Sequence, residues 1–218
     1  MIACDRLIPN QFVDFHNGEW NKKLYSKADG LKNKTLGIIG VGKIGIEVAK
    51  RATNFDLNLI GWSRNINTDE IPIDFAWESS LDEIARKCDI ISVHLASNSH
   101  TNKILSNTFF QNLKNKSIFI NTSRSEIVDE DAMIESIKKK EIRVAIDVFE
   151  NEPAAKKIEF NSKLQNLPIY VTHHIGASTN QAQEAIADEA INIVQEYVST
   201  GTFRNCINIA HDFPTTYK

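Results

Sequence analysis

The 218-residue chain has only three cysteines, Cys4, Cys88 and Cys206. Their number is odd, they are widely spaced and none forms a C-x-x-C pair, so no disulfide framework and no zinc site follows from them. No apolar run approaches the ~20 residues that a bilayer-spanning helix requires. The first residues carry Asp5 and Arg6 within a short apolar stretch, which makes a poor signal peptide. An excess of one charge is also lacking. The formal net charge is −3, and the basic run Lys138-Lys139-Lys140 ends a predicted helix, where cations suit the dipole. Internal repeats and low-complexity stretches are absent. These absences predict a soluble, cytoplasmic protein with no metal site and no surface for nucleic acid or membrane. With 42% hydrophobic residues the chain can bury a substantial core, and its length suits one large domain or one domain with appendages.

The most informative segment is Lys34 to Arg51, KTLGIIGVGKIGIEVAKR. Leu36, Ile38 and Ile39 form a short apolar run that leads directly into Gly40-Val41-Gly42-Lys43-Ile44-Gly45. Beyond it Ile46, Val48, Ala49 and Ala52 recur at helical spacing. A strand, a three-glycine turn and a helix are what a dinucleotide pyrophosphate needs. Gly40 allows the tight turn, Gly42 lets the backbone approach the phosphates, and Gly45 lets helix and strand pack closely. Amide N–H groups and the helix dipole then meet the negative charge. A glycine loop also serves as a plain turn, and it is the two flanks that favour nucleotide binding.

Six apolar, β-rich runs occur at 35–39, 57–62, 89–95, 117–121, 142–148 and 168–172. Helical segments at 43–53, 80–87, 106–113 and 129–140 lie between most of them. This alternation predicts an α/β fold, a Rossmann-type doubly wound parallel sheet flanked by helices, with strand order 3-2-1-4-5-6. Three regions are expected: an N-terminal arm and connecting helix over 1–33, a dinucleotide-binding domain over 34–177, and a long helix with a tail over 178–218. The arm has Pro9 at a helix start and then Phe12, Phe15 and Trp20. The last helix carries apolar residues at 182, 186, 190, 193 and 197 and again at 187, 191, 194 and 198, an arc wide enough to need cover on more than one side. The tail after Gly201 has no clear element, and 212–218 is expected to be mobile.

Ligands of open α/β sheets bind at the carboxyl ends of the strands. Here those ends bring the glycine loop, Ser63-Arg64, His94 to Ser97, Asn121-Thr122-Ser123-Arg124, Asp147 with Glu152-Pro153, and His173-His174. An arginine, a carboxylate and a histidine thus reach one edge from separate strands. His174 can exchange a proton with a substrate hydroxyl, Glu152 can orient its imidazole, and Arg124 can clamp a carboxylate. Taken singly, Arg124 fits a surface ion pair, Glu152 a solvated loop and either histidine a hydrogen-bonded loop role. Their convergence beside a nucleotide loop points to hydride transfer at a 2-hydroxy or 2-oxo acid. His94 and Thr122 join the glycine loop, Ser63 and Arg64 as expected cofactor contacts. Ser63-Arg64 replaces the acidic residue that commonly holds the NAD ribose, which favours NADP(H) over NAD(H). Alternatively, Arg64 stacks on adenine or points to water.

These pieces resemble the D-isomer-specific 2-hydroxyacid dehydrogenase family: KTLGIIGVGKIG, CDIISVHL, INTSRSEIVDE, AIDVFENEP and HHIGAST, in order over about 1–209. HHIGASTNQAQ is similar to the phosphoglycerate dehydrogenase-like branch. The resemblance implies that Arg124, Glu152 and His174 are catalytic. It places Asp147 near the nicotinamide carboxamide, and Lys43 and Ile44 where backbone amides meet the pyrophosphate. Three positions depart from the family pattern. Ser125 stands in place of glycine and is expected to crowd the substrate side; His173 stands in place of proline; and a proline is missing near Ala96, which is expected to loosen that loop. Met1 falls within what resembles the connecting helix, so the family's flavodoxin-like substrate domain, roughly 100 residues, is expected to be absent. The chain by itself is then expected to be nearly inactive, or to be an NAD(P)(H)-binding module or pseudoenzyme. A homodimer is expected as well.

Overall fold

The computed structural model describes residues 1–64, 71, 73–153, 157 and 159–206. The expectation for 212–218 lies outside the described residues. A seven-stranded, wholly parallel sheet is formed by β1 (Thr35–Ile39), β2 (Asn58–Trp62), β3 (Ala76–Trp77), β4 (Ile90–Val93), β5 (Ile118–Asn121), β6 (Arg143–Ile146) and β7 (Ile169–Val171), in the order β3-β2-β1-β4-β5-β6-β7. The doubly wound architecture is the expected one, but the expected numbering shifts by one strand. The run 89–95, third among the apolar runs and so expected beyond β2, is β4 and lies beside β1. The edge place belongs to β3, whose two residues are too few to give a periodic signal. Gly61 pairs with Trp77 there, and a Cβ on Gly61 would come within 2.9 Å of the Trp77 ring.

Both faces of the sheet are covered, as a parallel sheet requires. Leu36 and Ile38 of β1 pack into one apolar cluster with Ala49 and Ala52 of the helix α4 (Lys43–Thr53). Ile39 faces the other cluster, with Ile91, Phe109, Phe110 and Phe119. These three phenylalanine rings meet edge to face at 5.2–6.4 Å, a geometry that aromatic quadrupoles favour. The helices on that side begin at polar caps. Ser80 Oγ accepts from Asp82 N–H at 3.2 Å to start α5 (Leu81–Lys87), and Asp129 Oδ1 accepts from Ala132 N–H at 3.2 Å to start α7 (Glu130–Lys140). Between them α6 (Asn107–Asn112) carries Phe109 and Phe110 inward. Lys138, Lys139 and Lys140 form the last turn of α7, complementing its carbonyl end.

The segment before β1 is built onto the sheet. It contains α1 (Ile2–Arg6), α2 (Ile8–His16, with Pro9 in the first turn) and α3 (Lys22–Tyr25). Arg143 Nη1 donates to the carbonyls of Cys4 and Asp5 at 3.2 Å each, and Asp5 accepts from Gly30 N–H at 3.1 Å. On the far edge the Tyr170 hydroxyl donates to Asn10 at 2.7 Å. All of this belongs to one compact unit, Met1–His174; a second begins at Ile175. The second unit holds α8 (Asn180–Thr200), capped by Thr179 and ended by Gly201 at φ 71°. Among the described residues none of α8 is buried, although Ala182 and Ile193 are half-buried. Phe203 stacks on Tyr197 at 4.8 Å, and Asn205 donates to Glu189 at 2.9 Å, so the start of the tail folds back on its own helix.

Candidate active site at the carboxyl edge of the sheet

The glycine loop joins β1 to α4, and its three glycines meet different surroundings. Gly40 sits at φ 96°, and a Cβ there would lie 2.7 Å from the His94 carbonyl oxygen. A Cβ on Gly45 would lie 2.3 Å from the Gly40 carbonyl oxygen and 3.2 Å from Ile38. Both positions therefore exclude side chains for reasons internal to the fold. Around Gly42 nothing lies within 4 Å of a Cβ. Gly42 also supplies no side-chain cap to α4, and Gly42, Lys43 and Ile44 are exposed. The result is a cradle of uncapped amides at a helix start, open where a side chain would stand, and it fits a pyrophosphate.

The ends of β2 and β4 flank this cradle. Ser63 is half-buried and Arg64 exposed. Arg64 Nη2 donates to the His100 carbonyl at 3.1 Å, so the guanidinium leans across to the loop after β4. His94 N–H donates to the Ile39 carbonyl at 2.7 Å, and its Nε2 lies 2.9 Å from Ser92 Oγ. Burial pushes the His94 imidazole down to about 4, leaving it neutral near pH 7. The loop that lacks proline at Ala96 is closed by Thr101 instead. Its hydroxyl donates to the Ala96 carbonyl at 2.7 Å and accepts from Asn98 N–H at 2.8 Å.

At the end of β5 the residue that organises the loop is Asn121, to which sequence reasoning assigns no role. It is buried, its Nδ2 donates to the Arg124 carbonyl at 2.9 Å, and its Oδ1 accepts from Ser123 N–H at 3.0 Å and Ser123 Oγ at 2.8 Å. That double clamp folds the turn presenting Arg124, whose Nη1 donates to the Ser123 carbonyl at 2.7 Å. Ser125 opens a 3-10 turn, Ser125–Ile127, with its hydroxyl 3.4 Å from Glu126. Thr122 is exposed beside them.

The remaining groups follow β6 and β7. His174 Nδ1 lies 2.6 Å from Glu152 Oε2, while Glu152 Oε1 accepts from Phe149 N–H at 2.8 Å. His174 adopts φ 53°, a left-handed conformation that non-glycine residues seldom take and that concentrates at functional sites. Asp147 is buried and accepts from the Thr172 hydroxyl. Arg124, Ser125, Glu126, Glu152 and His174 line one cavity of about 490 Å3. A larger one, about 700 Å3, lies against Phe149, Phe160, Leu164, His173 and His174. A histidine with one nitrogen held by a carboxylate, facing a cavity that also holds an arginine, can move a proton at a substrate that the arginine anchors. Among the described residues no group of histidine, cysteine, aspartate and glutamate could hold a metal ion, and no helix is long and apolar enough to cross a membrane.

The chain is 35% identical over 193 residues to a hydroxypyruvate reductase of Thermotoga maritima, covering 88% of this chain and 61% of that protein. It is 32% identical over 212 residues to a D-3-phosphoglycerate dehydrogenase of Methanocaldococcus jannaschii, covering 96% of this chain and 39% of that protein. Among solved structures, a glyoxylate reductase from Paecilomyes thermophila superposes with a TM-score of 0.81 at 29% identity, over 93% of this chain and 60% of that one. The chain thus spans about 40–60% of the length of these proteins. Residues 1–176 match the family described as D-isomer specific 2-hydroxyacid dehydrogenase, NAD binding domain. On that match, with which the glycine cradle and the parallel sheet agree, the chain belongs to the D-isomer specific 2-hydroxyacid dehydrogenase family through its NAD-binding domain.

Proposed function

We propose that this chain provides the cofactor half of an oxidoreductase that interconverts a small 2-hydroxy acid and its 2-oxo acid, with His174 as acid/base. The observation that carries the reading is the His174–Glu152 pair at 2.6 Å, lining one cavity with Arg124. A bound nicotinamide dinucleotide supplies the two-electron chemistry. The chain's own residues do the rest. Gly42, Lys43 and Ile44 offer backbone amides to the pyrophosphate. Arg124 anchors the substrate carboxylate, and Glu152 holds Nδ1 so that His174 Nε2 takes the hydroxyl proton in oxidation and returns it in reduction. The names of the relatives, hydroxypyruvate reductase, glyoxylate reductase and D-3-phosphoglycerate dehydrogenase, support this substrate class. Ser63 and Arg64 support a preference for NADP(H) within an NAD-binding domain, because a guanidinium pairs with a 2′-phosphate that an acidic residue would repel.

The competing reading is a cofactor-binding module without turnover. The preserved Arg124, Glu152 and His174 geometry favours the enzyme. Within this chain, however, the His174 side chain is 44% exposed, whereas the chemistry needs a water-poor cleft. Turnover by the chain alone is therefore expected to be weak. The test assays reduction of glyoxylate, hydroxypyruvate and phosphohydroxypyruvate with both cofactors, using the chain and a fusion placing a family substrate domain before Met1. Turnover by the fusion that His174→Ala removes supports the enzyme. Cofactor binding with no turnover in either form establishes the module instead.

A further inference from the structure

The cavity that holds Arg124 and His174 is also lined by Glu126, Glu150 and Glu152. Glu152 is engaged by His174, which leaves two further carboxylates. Glu126 follows Arg124 in the 3-10 turn Ser125–Ile127, with its Oε2 3.4 Å from the Ser125 hydroxyl. Glu150 precedes Glu152 in the loop after β6, where it is half-buried. Among the described residues neither carboxylate is ion-paired, and neither is Arg124. Lys163, a cation within the field of Glu150, is bonded to Asp131 at 2.8 Å instead. The Glu150 charge is also felt by Glu130, whose carboxyl is raised by burial first and then by Glu150. The loop that brings the arginine and the loop that brings Glu152 thus each add an unneutralised negative charge to one cavity.

We propose that Glu126 and Glu150 are specificity-determining residues, which favour 2-hydroxy and 2-oxo acids with no second anionic group and select against their phosphorylated counterparts. This rests on the oxidoreductase reading above. One substrate carboxylate neutralises Arg124, and Glu152 balances His174 when the ring carries the proton. No cation of the cavity then remains for a further anion, since Arg124 is the only arginine or lysine among the described residues that line it. A phosphate monoester brings about −1.5 to −2 charge near pH 7. It would meet Glu126 on the loop of the arginine or Glu150 on the loop of Glu152. Like charges brought together discriminate by repulsion, at no cost to the substrate that lacks the charge. The uncharged hydroxymethyl group of hydroxypyruvate meets no such repulsion and can donate a hydrogen bond to either carboxylate.

Hydroxypyruvate and phosphohydroxypyruvate differ by the phosphate alone, so the ratio of their kcat/KM values reads the effect. The ratio is measured in the fusion that carries a substrate domain before Met1, unaltered and with Glu126→Gln, Glu150→Gln, both together, and Glu150→Asp. The donor domain is common to all five proteins and cancels in the change of ratio. Each glutamine is expected to raise phosphohydroxypyruvate relative to hydroxypyruvate about two- to fivefold, the size of one partly exposed charge interaction. The two together should raise it about tenfold, since separate sites add. Glu150→Asp keeps the charge and should leave the ratio near that of the unaltered fusion. An unmoved ratio in the double variant would overturn the proposal, as would a rise in Glu150→Asp equal to that in Glu150→Gln. A proportional fall for both substrates would overturn it too, because it marks a structural role. If the fusion turns over neither substrate in a His174-dependent way, the oxidoreductase reading itself fails, and the role of these carboxylates falls with it.

Discussion

Glu152 is held at both carboxylate oxygens, one by Phe149 N–H at 2.8 Å and the other against His174 Nδ1 at 2.6 Å. The backbone of the β6 loop thereby fixes the carboxylate, and the carboxylate fixes the imidazole, so the nitrogen left for substrate is Nε2. Glu152→Gln keeps an oxygen for Phe149 but removes the charge that stabilises a protonated ring. In the fusion with a substrate domain, kcat for hydroxypyruvate reduction should fall about 10- to 100-fold, the worth of a charge-assisted bond of about 1.5–3 kcal/mol. NADH affinity should be unchanged. Steady-state kinetics with a parallel cofactor titration check this, and an unaltered kcat would remove Glu152 from the reacting centre.

The glycine loop separates folding from binding. At Gly45 a methyl group would stand 2.3 Å from the Gly40 carbonyl oxygen, so backbone must move. Overpacking of that kind costs about 1–3 kcal/mol, and Gly45→Ala should show a lower denaturation midpoint. At Gly42 a methyl meets nothing within 4 Å, and stability should change by no more than about 0.5 kcal/mol. Gly42→Ala should nevertheless bind NADH at least tenfold more weakly, because the methyl occupies the approach to the amides of α4. Urea denaturation and fluorescence titration of both variants test the contrast. Tight NADH binding by a stable Gly42→Ala variant would move the pyrophosphate elsewhere.

The parts of this architecture that are legible in the sequence are those in which local chemistry and tertiary need agree. The helix starts at Ser80 and Asp129 carry their own cap acceptors, and β1 leads directly into a loop in which Gly40 and Gly45 have internal steric reasons to be there. The two-residue β3 escapes because alternation needs more residues to declare itself, and its omission shifts the numbering of every later strand. Asn121 escapes for another reason. It acts through a group brought to it by folding, the Arg124 carbonyl. The sequence shows the charge of Arg64, but its bond to the His100 carbonyl depends on a loop 36 positions away.

That bond bears on cofactor choice. The Arg64 guanidinium is held 3.1 Å from a neutral carbonyl, which a phosphate dianion outcompetes as an acceptor. NADPH should bind more tightly than NADH, and Arg64→Ala should weaken NADPH by about 1.5–3 kcal/mol while leaving NADH within twofold. Titration of both cofactors against both proteins decides it. Tighter NADH binding that the substitution does not alter would assign Arg64 to the His100 loop alone.

His94 predicts a pH dependence of stability. Burial lowers its imidazole from 6.5 to about 4, so between those values the unfolded chain binds a proton that the folded chain refuses. The folded state therefore has this contribution in full above pH 6.5 and loses it as pH falls towards 4. Over the whole window the loss is about 3 kcal/mol, because each tenfold difference in proton affinity between the two states is worth about 1.4 kcal/mol. Chemical denaturation at pH 7 and pH 4.5 should show the wild type losing about 2 kcal/mol more than His94→Gln, which cannot take up the proton. Other titrating groups are common to both proteins and cancel in the difference. Equal losses would mean that His94 protonates freely in the folded state.

The arm and the last helix leave apolar surface that calls for a partner. Phe12, Phe15 and Trp20 are 64%, 66% and 83% exposed, and the arm that carries them is anchored to the sheet by Arg143 and Tyr170. A fixed arm presenting aromatic side chains differs from a frayed end. Its position is already set, so pairing costs little additional ordering. Ile186, Ile191, Val194 and Val198 of α8 add a second exposed apolar stripe. We propose that two copies of this chain associate through these surfaces, burying the ~1,200–2,000 Å2 that a stable interface requires. Sedimentation at micromolar concentration should give a dimer. Phe15→Ser combined with Trp20→Ser should shift it to monomer without changing the denaturation profile of the separated chain, because neither side chain is buried within it. A wild-type monomer at the same concentration would leave the arm without this role.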